Sequence, residues 1–213
     1  MSSREPGAEQ AAGTLRERII SGGLRPGSRL SEEQLSDALG VSRNTLREAF
    51  RLLAHDRLVE HRFNRGVFVR ELSDADVADV FAVRRIVQLA AVASATPGDP
   101  ALRDARIACA AAREAAQREA WLEVGSANMR FHTALASTLH SERMENLIDS
   151  LMAELRLAFH AMDNELRQFH EPYIERNEAL LELLEQGRRD EAAEALRIYL
   201  DDAERQLRRG FRR

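Results

Sequence analysis

From Ser73 onward, apolar residues recur at intervals of three and four, with no run that alternates in the manner of a strand. Glycine and proline are sparse there. The pattern predicts six helices at about 74–95, 101–118, 121–138, 142–168, 172–186 and 190–209. Ser73 with Asp76 three residues later is a capping-box-like start to the first, and Thr96-Pro97-Gly98-Asp99-Pro100 ends it. Leu147, Leu151, Leu155 and Phe159 step by four along the fourth. Pro172 suits the first turn of the fifth, Gly187 its end, and Arg208 and Arg209 the C-terminus of the last. These are the elements of an antiparallel all-α bundle.

Upstream of Ser73 the pattern is different. Ser31-Glu32-Glu33-Gln34 opens a short helix that Gly40 breaks, and Ser42 caps a second in which Leu46, Ala49, Phe50 and Leu53 share one face. Arg43, Arg47 and Arg51 line the opposite face. Two helices joined by a tight Gly-Val turn form a helix-turn-helix whose second helix fits a DNA major groove. The apolar runs Arg57–His61 and Gly66–Arg70, around Arg62-Phe63-Asn64-Arg65, predict a hairpin wing. The fold class expected is mostly α, a winged helix-turn-helix followed by the bundle. Its expected divisions are a polar, disordered tail at 1–12, a DNA-binding head at 13–72 and a helical domain at 73–213.

The stretches Leu15–Gly22, Leu24–Glu32, Leu39–Arg43 and Leu46–Ala49 resemble the winged-helix domain of GntR-family bacterial transcription regulators, over about residues 13–70. Thr45 stands where that family usually has a proline. Asn128–Leu135 and the Glu182–Leu200 segment resemble the FCD effector domain of the FadR subfamily. The resemblance implies a regulator whose helical domain captures a small carboxylate, in many relatives through a divalent metal held by one aspartate and three histidines. Here those four positions are Asn128, His132, Asn177 and Tyr199. One imidazole with two amides and a phenol is a poor transition-metal site, so no metal cofactor is expected. Arg84, on the first bundle helix where relatives also carry arginine, is the candidate cation for a carboxylate, with a surface salt bridge to Asp79 or another nearby acid as its plain alternative.

Composition narrows the picture only slightly. The net charge of −4 looks wrong for a DNA binder until divided: 12 arginines face 10 carboxylates up to residue 72, and 19 face 25 beyond it. A weakly basic reader on an acidic domain is acceptable, because affinity follows the face that meets phosphates. A nonspecific coating protein would need a broader basic surface. No apolar run reaches membrane-spanning length and no secretory signal is recognisable, which points to the cytoplasm. The single cysteine, Cys109, precludes an intrachain disulfide and reads as a buried small hydrophobe. Trp121 reads as a packing anchor. A helical metalloenzyme is disfavoured, since neither Glu-x-x-His nor His-Glu-x-x-His occurs.

The sequence therefore predicts a homodimeric repressor, not an enzyme, that reads a short inverted repeat in double-stranded DNA. Arg43, Asn44, Thr45 and Arg47 would act from the recognition helix, and Arg62, Arg65 and Gly66 from the wing. A small-molecule effector, expected to be a carboxylate, would meet Arg84, Asn128, His132, Asn177 and Tyr199. The alternative is a dimeric DNA-binding protein whose bundle only dimerises.

Overall fold

The computed structural model describes residues 6–160 and 165–210. Its elements run α1 (Pro6–Ile20), β1 (Arg29–Leu30), α2 (Glu32–Leu39), α3 (Arg43–His55), β2 (Val59–Arg62), β3 (Gly66–Val69), α4 (Asp74–Ser94), α5 (Pro100–Gln117), α6 (Trp121–Ser137), α7 (Glu142–His160), α8 (Leu166–Glu185) and α9 (Arg189–Gly210). The chain divides into two compact units, Met1–Leu72 with Ala153–Ala161, and Ser73–Met152 with Met162–Arg213.

In the first unit, Leu15 and Ile19 of α1 and Leu46, Phe50 and Leu53 of α3 are fully or almost fully buried. Ser31 Oγ accepts from the Gln34 amide, Gly40 closes α2 at φ 64°, and Ser42 Oγ accepts from the Thr45 amide. The helix-turn-helix is thus fixed at both of its joints. The wing is a three-stranded antiparallel sheet in the order β1-β3-β2, with Arg62 opposite Gly66 and Val59 opposite Val69. β1 is an addition to the expected hairpin, pairing Arg29 with Phe68.

Residues 153–160 of α7 complete this unit. Glu154 receives a 2.5 Å hydrogen bond from Arg70, and its side chain is 3% exposed. Arg156 Nε and His160 Nε2 both reach the carbonyl of Ile20 at 2.9 Å. That carbonyl ends α1 and has no partner within its own helix, so the two side chains satisfy it.

The second unit is the helical domain, built from α4, α5, α6, α8, α9 and the start of α7. A full capping box at Ser73 and Asp76 opens α4, and Asp99 caps α5 with Pro100 as its first residue. Trp121 packs against a cluster of Ala112, Ala115, Val124, Ala127 and Ile174, as an anchor should. Cys109 is buried, and desolvation pushes its thiol up to about 12.

Three expectations need correction. Residues 6–12, expected to be disordered, lie in α1, where Ala8, Ala11 and Ala12 are buried at helical spacing ahead of Leu15; residues 1–5 of that tail lie outside the described residues. Pro172 does not start its helix: α8 begins at Leu166 and carries the proline inside. The inner face of α7 is set by Ile148, Met152, Leu155 and Phe159, whereas Leu147 is 38% exposed. The part of the expected 142–168 helix at 161–164 lies outside the described residues.

Candidate nucleic-acid interface and buried polar cluster

The start of α3 is the exposed edge of the head. Arg43, Asn44 and Arg47 are exposed, and Thr45 is half-buried with its hydroxyl 2.8 Å from that of Ser42. Arg43 lies 3.8 Å from Glu33, and Arg47 donates to Glu32 at 3.0 Å. Side-chain exposures of 64% and 58% for these arginines make the pairs weak. Exposed ion pairs contribute about 0–1 kcal/mol, less than a base or phosphate contact returns, so both guanidinium groups can be recruited by DNA.

The wing tip is a three-residue loop, Phe63-Asn64-Arg65, with Asn64 at φ 55° and Gly66 at φ 99°. A positive φ at the last position is what glycine supplies without strain. Arg65 is exposed at the tip, beside a 91% exposed Phe63. Arg62 is more constrained than its sequence position suggests. It donates to Glu60 at 2.7 Å and to Glu71 at 3.4 Å, and lies 4.4 Å above the Phe68 ring. Arg29 was missed in the sequence. It is exposed on β1, and its guanidinium would lie 3.5 Å from a Cβ added at Gly66. A two-residue strand gives no periodic signal that could have found it.

Within the helical unit, Asn128, His132, Asn177 and Tyr199 come together through hydrogen bonds. Asn177 Nδ2 donates to Asn128 Oδ1 at 2.7 Å, and the Tyr199 hydroxyl donates to the same oxygen at 2.9 Å. His132 Nε2 lies 3.0 Å from the Tyr199 oxygen. Since the only hydroxyl proton of Tyr199 goes to Asn128, His132 Nε2 must carry a proton and donate. His132 Nδ1 is then a lone-pair acceptor, fully buried and without a partner.

Arg84 is buried, not a surface residue paired with Asp79. Its guanidinium lies 4.7 Å above the Phe81 ring, its Nε has no hydrogen-bond partner, and desolvation lowers it to about 10. It therefore stays charged at neutral pH without a carboxylate partner among the described residues. Its neighbour Arg85 makes the expected kind of ion pair instead, to Asp201 and Glu204 at 2.7 Å. One turn beyond Arg84, Gln88 is fully buried, and neither polar atom of its amide has a partner. Gln88 was also missed, because a lone glutamine on an apolar helix gives no signal of its own. Asn177 Oδ1 completes the set of unpartnered buried atoms here.

This donor set does not fit a transition metal. His132 is the only strong ligand among the four positions, its Nε2 is engaged by Tyr199, and a guanidinium close enough to depress its basicity repels a cation. No group of three or more His, Cys, Asp or Glu is arranged to hold a metal among the described residues. Of the other histidines, His140 faces Asp99 at 3.2 Å, His160 holds Ile20, and His170 is buried beside Phe169.

Burial, aided by Arg84, lowers the His132 pKa well below 6.5, and burial lowers that of His160. The unfolded chain protonates both below about 6.5 while the folded chain resists, so stability is full above that pH and falls as the pH drops below it. Thermal unfolding should show a decline in Tm from pH 7.5 to pH 5.5 that is shallower in His132→Gln. An unchanged slope would show that His132 is not held neutral.

The first unit matches the family model of bacterial regulatory proteins, gntR family, over residues 7–69, and the helical unit that of the FCD domain over residues 79–202. The chain belongs to the GntR family. A GntR transcriptional regulator of Rhodococcus sp. RHA1 superposes with a TM-score of 0.89 at 44% identity, covering 94% of this chain and 96% of that one. Escherichia coli McbR/YncC shares the fold, with a TM-score of 0.80 at 20% identity over 99% of this chain and 100% of that one. The HTH-type regulator BphR of Paraburkholderia xenovorans is 30% identical over 75% of this chain and 70% of its own length. The match to Bacillus subtilis YdhC, at 28% identity, spans 63% of this chain and 62% of that relative's length. No helix among the described residues of this GntR-family chain is long and apolar enough to cross a membrane.

Proposed function

We propose that this GntR-family protein is a homodimeric, cytoplasmic transcriptional repressor that reads a short inverted repeat and responds to a small anionic effector without a transition metal. The observation that carries the effector reading is the buried polar cluster. Arg84 Nε, both polar atoms of Gln88, His132 Nδ1 and Asn177 Oδ1 are buried without partners among the described residues. Leaving such groups unsatisfied costs about 1–3 kcal/mol each. A ligand carrying a carboxylate for Arg84 and hydroxyl or amino donors for His132 and Asn177 would satisfy them. Two relatives bear the word repressor in their names, RspR of E. coli and the gluconate operon repressor of Bacillus licheniformis, each matched over only 40–42% of this chain.

The second reading, a bundle that only dimerises, draws on the hydrogen bonds that Asn128, His132, Asn177 and Tyr199 already make to one another. A metabolite screen by thermal shift, run with a chelator present, separates the two. The effector reading expects a carboxylate whose stabilisation and effect on operator binding are lost in Arg84→Ala and His132→Ala, while ligand-free operator binding persists. A hit whose effect survives both substitutions would place the pocket elsewhere. Elemental analysis of untagged protein should give well below one equivalent of zinc, nickel or manganese; near-stoichiometric metal whose removal lowers Tm would overturn the metal-free part.

Dimerisation is supported by the outward face of α4. Ala82, Ile86, Ala90 and Ala93 are all exposed along it, Ile86 by 74%, and form an apolar stripe at helical spacing. A single winged helix reads too few base pairs for useful specificity, whereas a two-fold dimer reads two half-sites. Ile86→Asp should yield a monomer by light scattering, with weakened operator binding. A dimer that persists would move the interface to another face.

A further inference from the structure

Asn128 is half-buried, but Arg84, Gln88, His132, Asn177 and Tyr199 are each less than about one-twentieth exposed, so a ligand must pass side chains to reach those five. At Tyr173 the covering layer is a single side chain that touches both the cluster and a cleft. On one side its ring packs 4.7 Å from that of Tyr199, the hub of the cluster. On the other it forms part of the wall of a cleft of about 340 Å³ between the start of α8 and the end of α9.

The local chemistry of α8 makes this wall breakable. Pro172 has no N–H, so the carbonyl of Gln168, four residues earlier, loses its helical partner. Gln206 of α9 supplies a substitute: its Nε2 donates to the Gln168 carbonyl at 3.3 Å, and its Oε1 accepts from the Tyr173 hydroxyl at 3.2 Å. One side chain thus covers the gap left by the proline and latches the tyrosine. The Tyr173 hydroxyl is thus held by one long hydrogen bond, to a side chain whose other anchor is similarly long, while its ring rests on Tyr199 and Phe169. The cleft also has a sign. Arg176, Arg205 and Arg209 line it against Glu165 and Asp202, an excess of one positive charge among the described lining residues. Asp202 is shared by Arg176 at 2.9 Å and Arg205 at 3.3 Å. Such a rim raises the local concentration of anions and disfavours cations.

We infer that the α8–α9 cleft is the entry site through which a small anion reaches the polar cluster, and that Tyr173 and Gln206 are its gate. The inference rests on the effector reading above, but its test does not require the effector. A reporter cysteine, Asn177→Cys in a Cys109→Ala background, is labelled with the anionic sulfonatoethyl methanethiosulfonate or its cationic trimethylammonium counterpart and followed by intact mass; Asn128→Cys replaces it if the first reporter does not fold. Gln206→Ala should accelerate anionic labelling about tenfold, the loss of one to two ordinary hydrogen bonds. Arg205→Glu with Arg209→Glu should slow the anionic reagent and favour the cationic one. Native Cys109, in chains that keep it, reports general loosening and should label at an unchanged rate in Gln206→Ala.

Acceleration of Cys109 to the same degree, a reporter rate unmoved by Gln206→Ala, or indifference to the rim charges would each overturn the gate. An effector-induced thermal shift that persists alongside such a result would leave the effector reading standing and move its entrance. Labelling that behaves as expected, with no ligand found in the metabolite screen, would uphold the entrance and sink the effector.

Discussion

Replacing Arg43 and Arg47 together by alanine should leave the head folded and lower operator affinity by roughly 2–6 kcal/mol, at about 1–3 kcal/mol for each arginine–guanine pairing removed. Both side chains are exposed at the start of α3 and, among the described residues, pair with Glu33 and Glu32 alone. Their removal therefore costs little in the free protein and much in the complex. Anisotropy titrations against an operator selected from random DNA would measure the loss, and circular dichroism would check the fold. Each single substitution should also relax the preference at one base position. If both singles bind as tightly as the parent, DNA is read by another surface. Arg62→Ala should have the smaller effect on DNA, because that guanidinium is already committed to Glu60, Glu71 and Phe68.

The second large effect concerns stability. Arg70→Met should destabilise the first unit by about 3–5 kcal/mol in urea unfolding, the usual cost of taking one partner from a buried ion pair. Glu154 remains behind with a side chain 3% exposed. The double variant Arg70→Met with Glu154→Met should recover most of that loss, since apolar groups of similar size can replace a buried pair at little net cost. A double-mutant cycle gives the coupling directly. Additive losses, with no recovery, would show that the pair does not act as a unit.

Much of this was legible in the residues. Helix placement in the bundle followed from three-and-four periodicity, and the caps at Ser31, Ser42 and Ser73 were visible because hydroxyl side chains bond amides two or three positions on. What failed had a common cause, namely signals too weak or too distant for a local pattern. Ala8 and Ala11 bury little area each, so the start of α1 reads as part of a polar tail that ends at residue 12. β1 is two residues long. Pro172 looked like a start because the residue that repairs its missing hydrogen bond, Gln206, lies far along the chain. The same distance separates the members of the polar cluster. Asn128 and His132 share a helix face by spacing alone, but their meeting with Asn177 and Tyr199 was expected only from the resemblance to FCD domains. Arg84 was expected there from the same resemblance, with a surface salt bridge as the alternative that its burial removes, whereas Gln88 was not expected at all, since a lone glutamine on an apolar helix gives no signal of its own.

The membership of Glu154, Arg156 and His160 in the first unit bears on how this chain is made. Residue 153 follows residue 72 by about 80 positions. At synthesis rates of roughly 5–20 residues per second, that interval lasts about 4–16 s. Throughout it the nascent head has Arg70 without Glu154 and the Ile20 carbonyl without its two donors, so its last stabilising interactions arrive only after α4, α5 and α6 have emerged. A premature stop before α7 would release a head able to present α3 but lacking its closing helix, a species that cellular proteases would find more readily than the finished protein.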